Sequence, residues 1–166
     1  MRKAFIKDFD NIIRMIEEAR IDLRENGVDQ WQGLEPSEQK IEKEISTNLA
    51  MVYEKDNEIV AYAYLSEEFE KAYGEISEKF KGKNYFTIHS FCVSGANKKI
   101  GVGTSFLGEL IEFAEKMDKD SLRIDTHEDN KKMRGLIDKF DFDFRGEIFI
   151  DEEGVKKPRL AYELML

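Results

Sequence analysis

Cysteine is nearly absent. The 166-residue chain has one, Cys92, so no intramolecular disulfide can form and no C-x-x-C metal or redox motif exists. Histidine is almost as scarce. The two, His89 and His127, stand far apart in the chain, which argues against a zinc site, and no metal is expected. No run approaches the ~18 apolar residues of a membrane span, and the N-terminal MRKAFIKDFD lacks the apolar stretch of a signal peptide. A soluble, cytoplasmic chain without a membrane partner is the expectation. Positive charge is also in deficit, with 26 Lys and Arg against 35 Asp and Glu and a formal net charge of -9. That balance argues against a nucleic-acid partner, which wants a basic face, and fits a cationic small substrate slightly better than an anionic one. No repeat, low-complexity tract or linker interrupts the chain, so residues 1–166 read as a single domain large enough for a core.

What is present reads as mixed α/β. MRKAFI is a short first strand. Asp8 to Asn26 carries Ile12, Ile16, Ala19 and Leu23 on one helical stripe, stopped by Gly27. EPSEQKIEKEISTNL is a second helix with Ile41, Ile45 and Leu49 inward, and Ala50 to Ser66 is a hairpin turning at Asp56 and Asn57. Residues 67–83 are expected to be loop with a helical turn. NYFTIHSFCV is apolar on both faces and so a central strand. A third helix from about Gly103 to Lys119 should bury Phe106, Leu107, Leu110, Ile111, Ala114 and Met117. The strand SLRIDT follows, then a fourth helix from His127 to Phe140 with Met133, Leu136, Ile137 and Phe140 inward. Thr126 with Asp129 resembles its capping box. DFRGEIFI, the turn DEEG and RLAYELML end the chain as two strands.

Between the central strand and the third helix lies a loop with two lysines and the triplet Gly101-Val102-Gly103. A strand, a bare backbone and a helix start suit a phosphate group, because the first N–H groups of a helix are unpaired and carry about half a positive charge. The lysines precede the glycines, so the Walker pattern fails. The third glycine of the dinucleotide fingerprint falls on Phe106, so that pattern fails as well.

Lys98-x-x-Gly101-x-Gly103 resembles the acyl-CoA loop of the GNAT superfamily of N-acetyltransferases, [QR]-x-x-G-x-[GA], with Phe91-Cys92-Val93 at the strand end that often precedes it. Lys98 departs from Gln or Arg, keeping the charge but not the fork of donors. Arg123 to Phe142 resembles the family's second motif, with Asn130 at its asparagine, Phe142 at its phenylalanine and Asp141 where glycine is preferred. The resemblance implies a central, mostly antiparallel sheet of six to seven strands with a splayed central pair, flanked by about four helices. It implies acetyl-CoA as co-substrate, held by Lys98, Lys99, Gly101, Val102, Gly103, Thr104 and Asn130, with backbone groups of Phe91 and Val93 facing the pantetheine arm and one N–H polarising the thioester. It further implies direct transfer of the acetyl group to an amine of a small molecule or peptide, and leaves room for a homodimer.

An alkyl amine with a pKa of about 10 must lose a proton before it attacks, which is general-base work worth roughly 10²–10⁴ in rate. His89 is the candidate base. Strand alternation would put it on the face of Phe91 and Val93, with Cys92 on the other, as a buried structural thiol. His127 at the fourth helix start is read as a capping-region residue. Trp31, the lone tryptophan, sits in the polar connection GVDQWQGLEP, where it would cover a substrate cation or pin the loop to the core. Tyr73 is a second substrate candidate. The family's acid, a tyrosine seven residues after the asparagine, is Ile137 here. That leaves a non-catalytic acyl-CoA-binding module, a sensor or partner domain, as the alternative.

Overall fold

A computed structural model gives the fold and describes residues 1–95, 101–152 and 154–166. The strands are β1 (Arg2–Lys3), β2 (Ala50–Lys55), β3 (Glu58–Ser66), β4 (Tyr85–Val93), β5 (Ser121–Thr126), β6 (Asp143–Glu152) and β7 (Val155–Met165). They form one seven-stranded sheet in the order β1-β2-β3-β4-β5-β7-β6. The helices are α1 (Phe9–Glu25), α2 (Glu38–Ser46), α3 (Lys71–Gly74), α4 (Val102–Lys116) and α5 (Lys131–Lys139). Helix α3 is the single turn expected inside residues 67–83. Among the described residues no helix is long and apolar enough to cross a membrane.

Each sheet face has its own core. Phe106, Leu107 and Leu110 of α4 and Ile137 of α5 pack on Phe86, Ile88, Leu122 and Ile124, with Phe91 and Val93 at the margin. On the opposite face Ile12, Met15 and Ile16 of α1 and Ile41 and Ile45 of α2 pack on Val52, Tyr62 and Cys92. A smaller cluster on that side joins Tyr73 and Ile76 to Ile148 and Ala161.

Three local expectations are corrected. Helix α4 ends at Lys116, because Asp118 turns into the left-handed region (φ 52°), and Met117 is 47% exposed rather than part of the buried face. The cap of α5 is Asn130, whose side chain accepts from Met133 N at 3.2 Å; Thr126 instead donates its hydroxyl to Gln30 Oε1. The alternation assumed for β4 is broken by a bulge. Cys92 pairs with Tyr62 but His89 pairs with Tyr64, so Ser90 and Phe91 together oppose Ala63, and Ser90 takes a φ of 53°. Tyr62 and Tyr64 are two residues apart on one face. His89, stacked on Tyr64 at 6.2 Å, therefore shares the α1/α2 side with Cys92, away from Phe91 and Val93.

A buried carboxylate holds that bulge. Glu44 of α2 is 3% exposed and accepts from Ser90 Oγ at 2.9 Å and from Tyr62 Oη at 2.7 Å. Burial pushes the Glu44 carboxyl up, against the pull of the Tyr62 hydrogen bond. Truncating it strands two hydroxyls and frees a strained backbone. Glu44→Ala should lower stability by about 2–4 kcal/mol, read from the denaturant midpoint.

Candidate active site

The β4–β5 pair is parallel, and its register ends at Ile88↔Ile124. Strand β4 runs on to Val93 and β5 to Thr126, so the two part into a fork. Ser94 N donates to Val60 O across β3 at 2.9 Å. By alternation the N–H groups of Val93 and Phe91 point away from β3, into the fork. The side chain of Phe91 stacks on Phe106 at 5.5 Å, which fixes this stretch against α4.

A cleft of about 1130 Å³ passes through the fork. From the α4/α5 face it is lined by Gly101, Val102, Gly103, Thr104, Met133 and Leu136, and from the other face by Trp31, His89, Cys92, Asp125 and Arg159. Gly101 is the residue before α4 and adopts φ 81°, a conformation that favours glycine, and nothing among the described residues lies within 4 Å of where its Cβ would stand. The first backbone bond into the helix is Ser105 N to Gly101 O, which leaves the N–H groups of Val102, Gly103 and Thr104 without an intrahelical acceptor. A Cβ at Gly103 would stand 3.6 Å from Val93 Cγ2 and 3.7 Å from Leu136 Cδ2, so any larger side chain there enters the cleft. Thr104 Oγ1 accepts from Lys139 Nζ at 3.4 Å. Lys98 and Lys99 lie outside the described residues.

Asn130 lines the cleft, but both ends of its side chain serve local structure. Its Oδ1 caps α5, and its Nδ2 donates to Gln30 Oε1 at 3.3 Å. Gln30 also accepts from Thr126 Oγ1 and His127 N, so this residue, rather than its neighbour Trp31, ties the connection after α1 to the fork. Trp31 is half-buried against the α1/α2 core with φ 62° and presents a side to the cleft. His127 accepts from Asp129 N at Nδ1 and does not line the cleft, in keeping with a capping-region residue.

On the α1/α2 face two acid–base pairs meet at the fork. His89 Nε2 lies 2.9 Å from Glu70 Oε1, close but off the line of a good hydrogen bond. The contact with His89 holds the Glu70 carboxyl below its usual range despite burial. Tyr73, placed among substrate contacts by sequence, does not line the cleft. It is buried in the third cluster, where its hydroxyl donates to Asp125 Oδ1 at 2.9 Å. Burial pushes the Asp125 carboxyl up, opposed first by the charge of a protonated His89 and then by the Tyr73 hydrogen bond. Glu70, Asp125, Gln30 and Arg159 were not singled out from sequence. A carboxylate inside the apolar strand SLRIDT was the one signal available for Asp125.

Ile137, at the place of the expected acid, is fully buried beneath α5 and absent from the cleft wall. Ile137→Tyr should therefore cost about 1–3 kcal/mol of stability through overpacking and bring no gain in turnover, both read on one preparation by thermal melting and a thiol-release assay.

Among comparisons with known proteins, the model of the acetyltransferase (GNAT) family matches residues 14–142. A GNAT-family acetyltransferase from Streptococcus agalactiae superposes with a TM-score of 0.85 at 30% identity, covering 99% of this chain and 94% of the other. Ribosomal-protein-alanine N-acetyltransferase from Brucella melitensis superposes with a TM-score of 0.68 at 20% identity, over 99% and 98% of the two chains. The structure of yncA from Salmonella typhimurium, which holds its cofactor acetyl-CoA, gives 0.72 at 14% identity over 99% and 91%. No curated protein sequence matches.

Proposed function

The chain belongs to the acetyltransferase (GNAT) family, and on that premise we propose that it transfers the acetyl group of acetyl-CoA directly to an amine of a small molecule or peptide, within a ternary complex. The observation that carries this is a cleft threading the β4–β5 fork, with the start of α4 on one sheet face and the His89–Glu70 pair on the other. The residues present fit acetyl-CoA. Gly101 and Gly103 set no side chain over the backbone N–H groups that open α4, which suits a pyrophosphate, and the fork N–H groups of Phe91 and Val93 suit an amide-bearing arm. We assign Lys98 and Lys99 to the same phosphates by sequence. When bound, acetyl-CoA supplies an activated acetyl group as a thioester.

The protein's residues then hold the reactants and move one proton. His89 accepts the proton of the incoming ammonium. With Nε2 turned to Glu70, Nδ1 is the nitrogen left to receive it. Glu70, ionised beside it, stabilises the imidazolium that forms. With acetyl-CoA bound, an N–H of Phe91 or Val93 would be the donor available to the thioester oxygen as negative charge develops there. The C–S bond then breaks. Its thiolate, whose acid has a pKa of about 8.5, is a fair leaving group without an enzymic acid. Cys92 is buried in the α1/α2 core at the edge of the cleft, and we assign it no part in the reaction. A single free thiol suits a reducing, cytoplasmic setting, and the whole chain reads as one acyltransferase domain.

Thiol release from acetyl-CoA across polyamines, aminoglycosides, amino acids and peptide N-termini tests the proposal. Turnover with at least one amine is expected. Acetyl-CoA binding without turnover on any amine would leave a binding module.

A further inference from the structure

We propose that Asp125 binds the acceptor's ammonium group, so that the enzyme takes its substrate as an alkylammonium cation and hands the proton to His89 across the fork. This rests on the acyltransfer reading above. Three observations carry it. First, Ile88 and Ile124 are the last paired residues of β4 and β5, and His89 and Asp125 are the next residue on each strand. They flank the crotch of the fork at matching positions. Second, both face the same side. Asp125 pairs with Ala161, which packs with Tyr73, and His89 pairs with Tyr64 beneath α1 and α2. The bulge at Ser90 makes this so; without it His89 would face α4. Third, Asp125 is held rather than neutralised. Tyr73 donates to Oδ1, Oδ2 has no hydrogen-bond partner among the described residues, and Asp125 lines the cleft.

Of the other charged groups that line the cleft, Arg159 Nη2 pairs with Glu152 at 2.5 Å and Lys132 with Asp22, Glu35 accepts from Ser37 and Asp151 from Gly154 N, and Lys40 makes no ion pair among the described residues. Asp125 is the cleft-lining carboxylate that stands beside His89 at the crotch of the fork. A carboxylate that burial disfavours gains most from a cation beside it. Two protons leave the nitrogen: the first passes from the ammonium near Asp125 to His89 and frees the electron pair for attack, and the second is lost once the N–C bond has formed and ends on the departing thiolate as the C–S bond breaks.

Asp125→Asn is the test, because an asparagine Oδ1 still accepts from Tyr73 and the fold is kept. The probes are the alkylamine with the highest kcat/KM in the panel and its alkoxyamine counterpart, whose nitrogen is neutral at pH 7. For the alkylamine, KM should rise about tenfold or more, with a smaller change in kcat. For the alkoxyamine, KM should move less than about twofold, and the acetyl-CoA Kd should stay put. Equal effects on both acceptors would mean a structural role and overturn the inference. So would an unchanged alkylamine KM in a parent-active enzyme. A parent inactive on every amine would overturn the acyltransfer reading itself, and this inference with it.

Discussion

Gly103→Phe is expected to weaken acetyl-CoA binding by roughly 100-fold or more while the protein stays folded. The two halves of that outcome have separate causes. Position 103 lies in the first turn of α4 with ordinary helical backbone, so a side chain is conformationally allowed, and replacing a helical glycine is favourable by up to about 1 kcal/mol. The Cβ itself would touch Val93 Cγ2 and Leu136 Cδ2 at ordinary contact distances. A methyl therefore fits, and Gly103→Ala should melt no lower than the parent and bind acetyl-CoA within a few-fold. A phenyl ring must continue past those two contacts into the cleft, over the N–H groups that open the helix. Gly101→Ala separates the remaining possibility. There nothing among the described residues lies within 4 Å of an added Cβ, but φ is 81°, so the cost is backbone strain of about 1–2 kcal/mol in stability rather than a blocked site. Calorimetry on the three variants reads all of this. A phenylalanine variant that binds acetyl-CoA as tightly as the parent would put the site elsewhere.

The contrast between those glycines shows which parts of the molecule the sequence made legible. Periodicity placed the long helices and the hairpin, and a run apolar on both faces placed β4 at the centre, because those signals are local. The glycine-bearing loop was legible for the same reason. The fork's electrostatics were not. Ser90 takes a left-handed conformation that serine does not favour, and it is held there by Glu44, 46 residues earlier, and by the pairing with β3. No local pattern announces such a bulge, and missing it turned His89 to the wrong face. Gln30 and Asp125 gain their roles from partners 96 and 52 residues away, Thr126 and Tyr73. Capping failed on a smaller margin: Thr126 and Asn130 both suit a cap, and only the tertiary bond to Gln30 decides between them.

His89→Ala is expected to lower kcat/KM by about 100-fold or more, with the acetyl-CoA Kd nearly unchanged. The second clause follows from the bulge. His89 stands on the α1/α2 side of the sheet, whereas the start of α4 and the cleft wall of Met133 and Leu136 stand on the other, so truncating the imidazole removes nothing from the phosphate end. The sign of the pH effect is fixed by the role. A base must be unprotonated to act, so the parent's rate should fall as pH drops and the imidazole takes up a proton. The carboxyl of Glu70 is held below its usual range by its contact with His89, so it stays ionised while that happens and adds no limb of its own. In His89→Ala the limb that belongs to the imidazole should vanish, leaving only the dependence on the fraction of free amine in solution, which rises with pH up to the amine's own pKa. Glu70→Gln keeps the base but removes the charge that stabilises the imidazolium. It should lower kcat less than His89→Ala does. The measurement is kcat/KM against pH for the three proteins on one amine. An alanine variant with full activity and an unshifted profile would make His89 a structural partner of Tyr64 and Glu70, and the proton would have to leave through Asp125 or water.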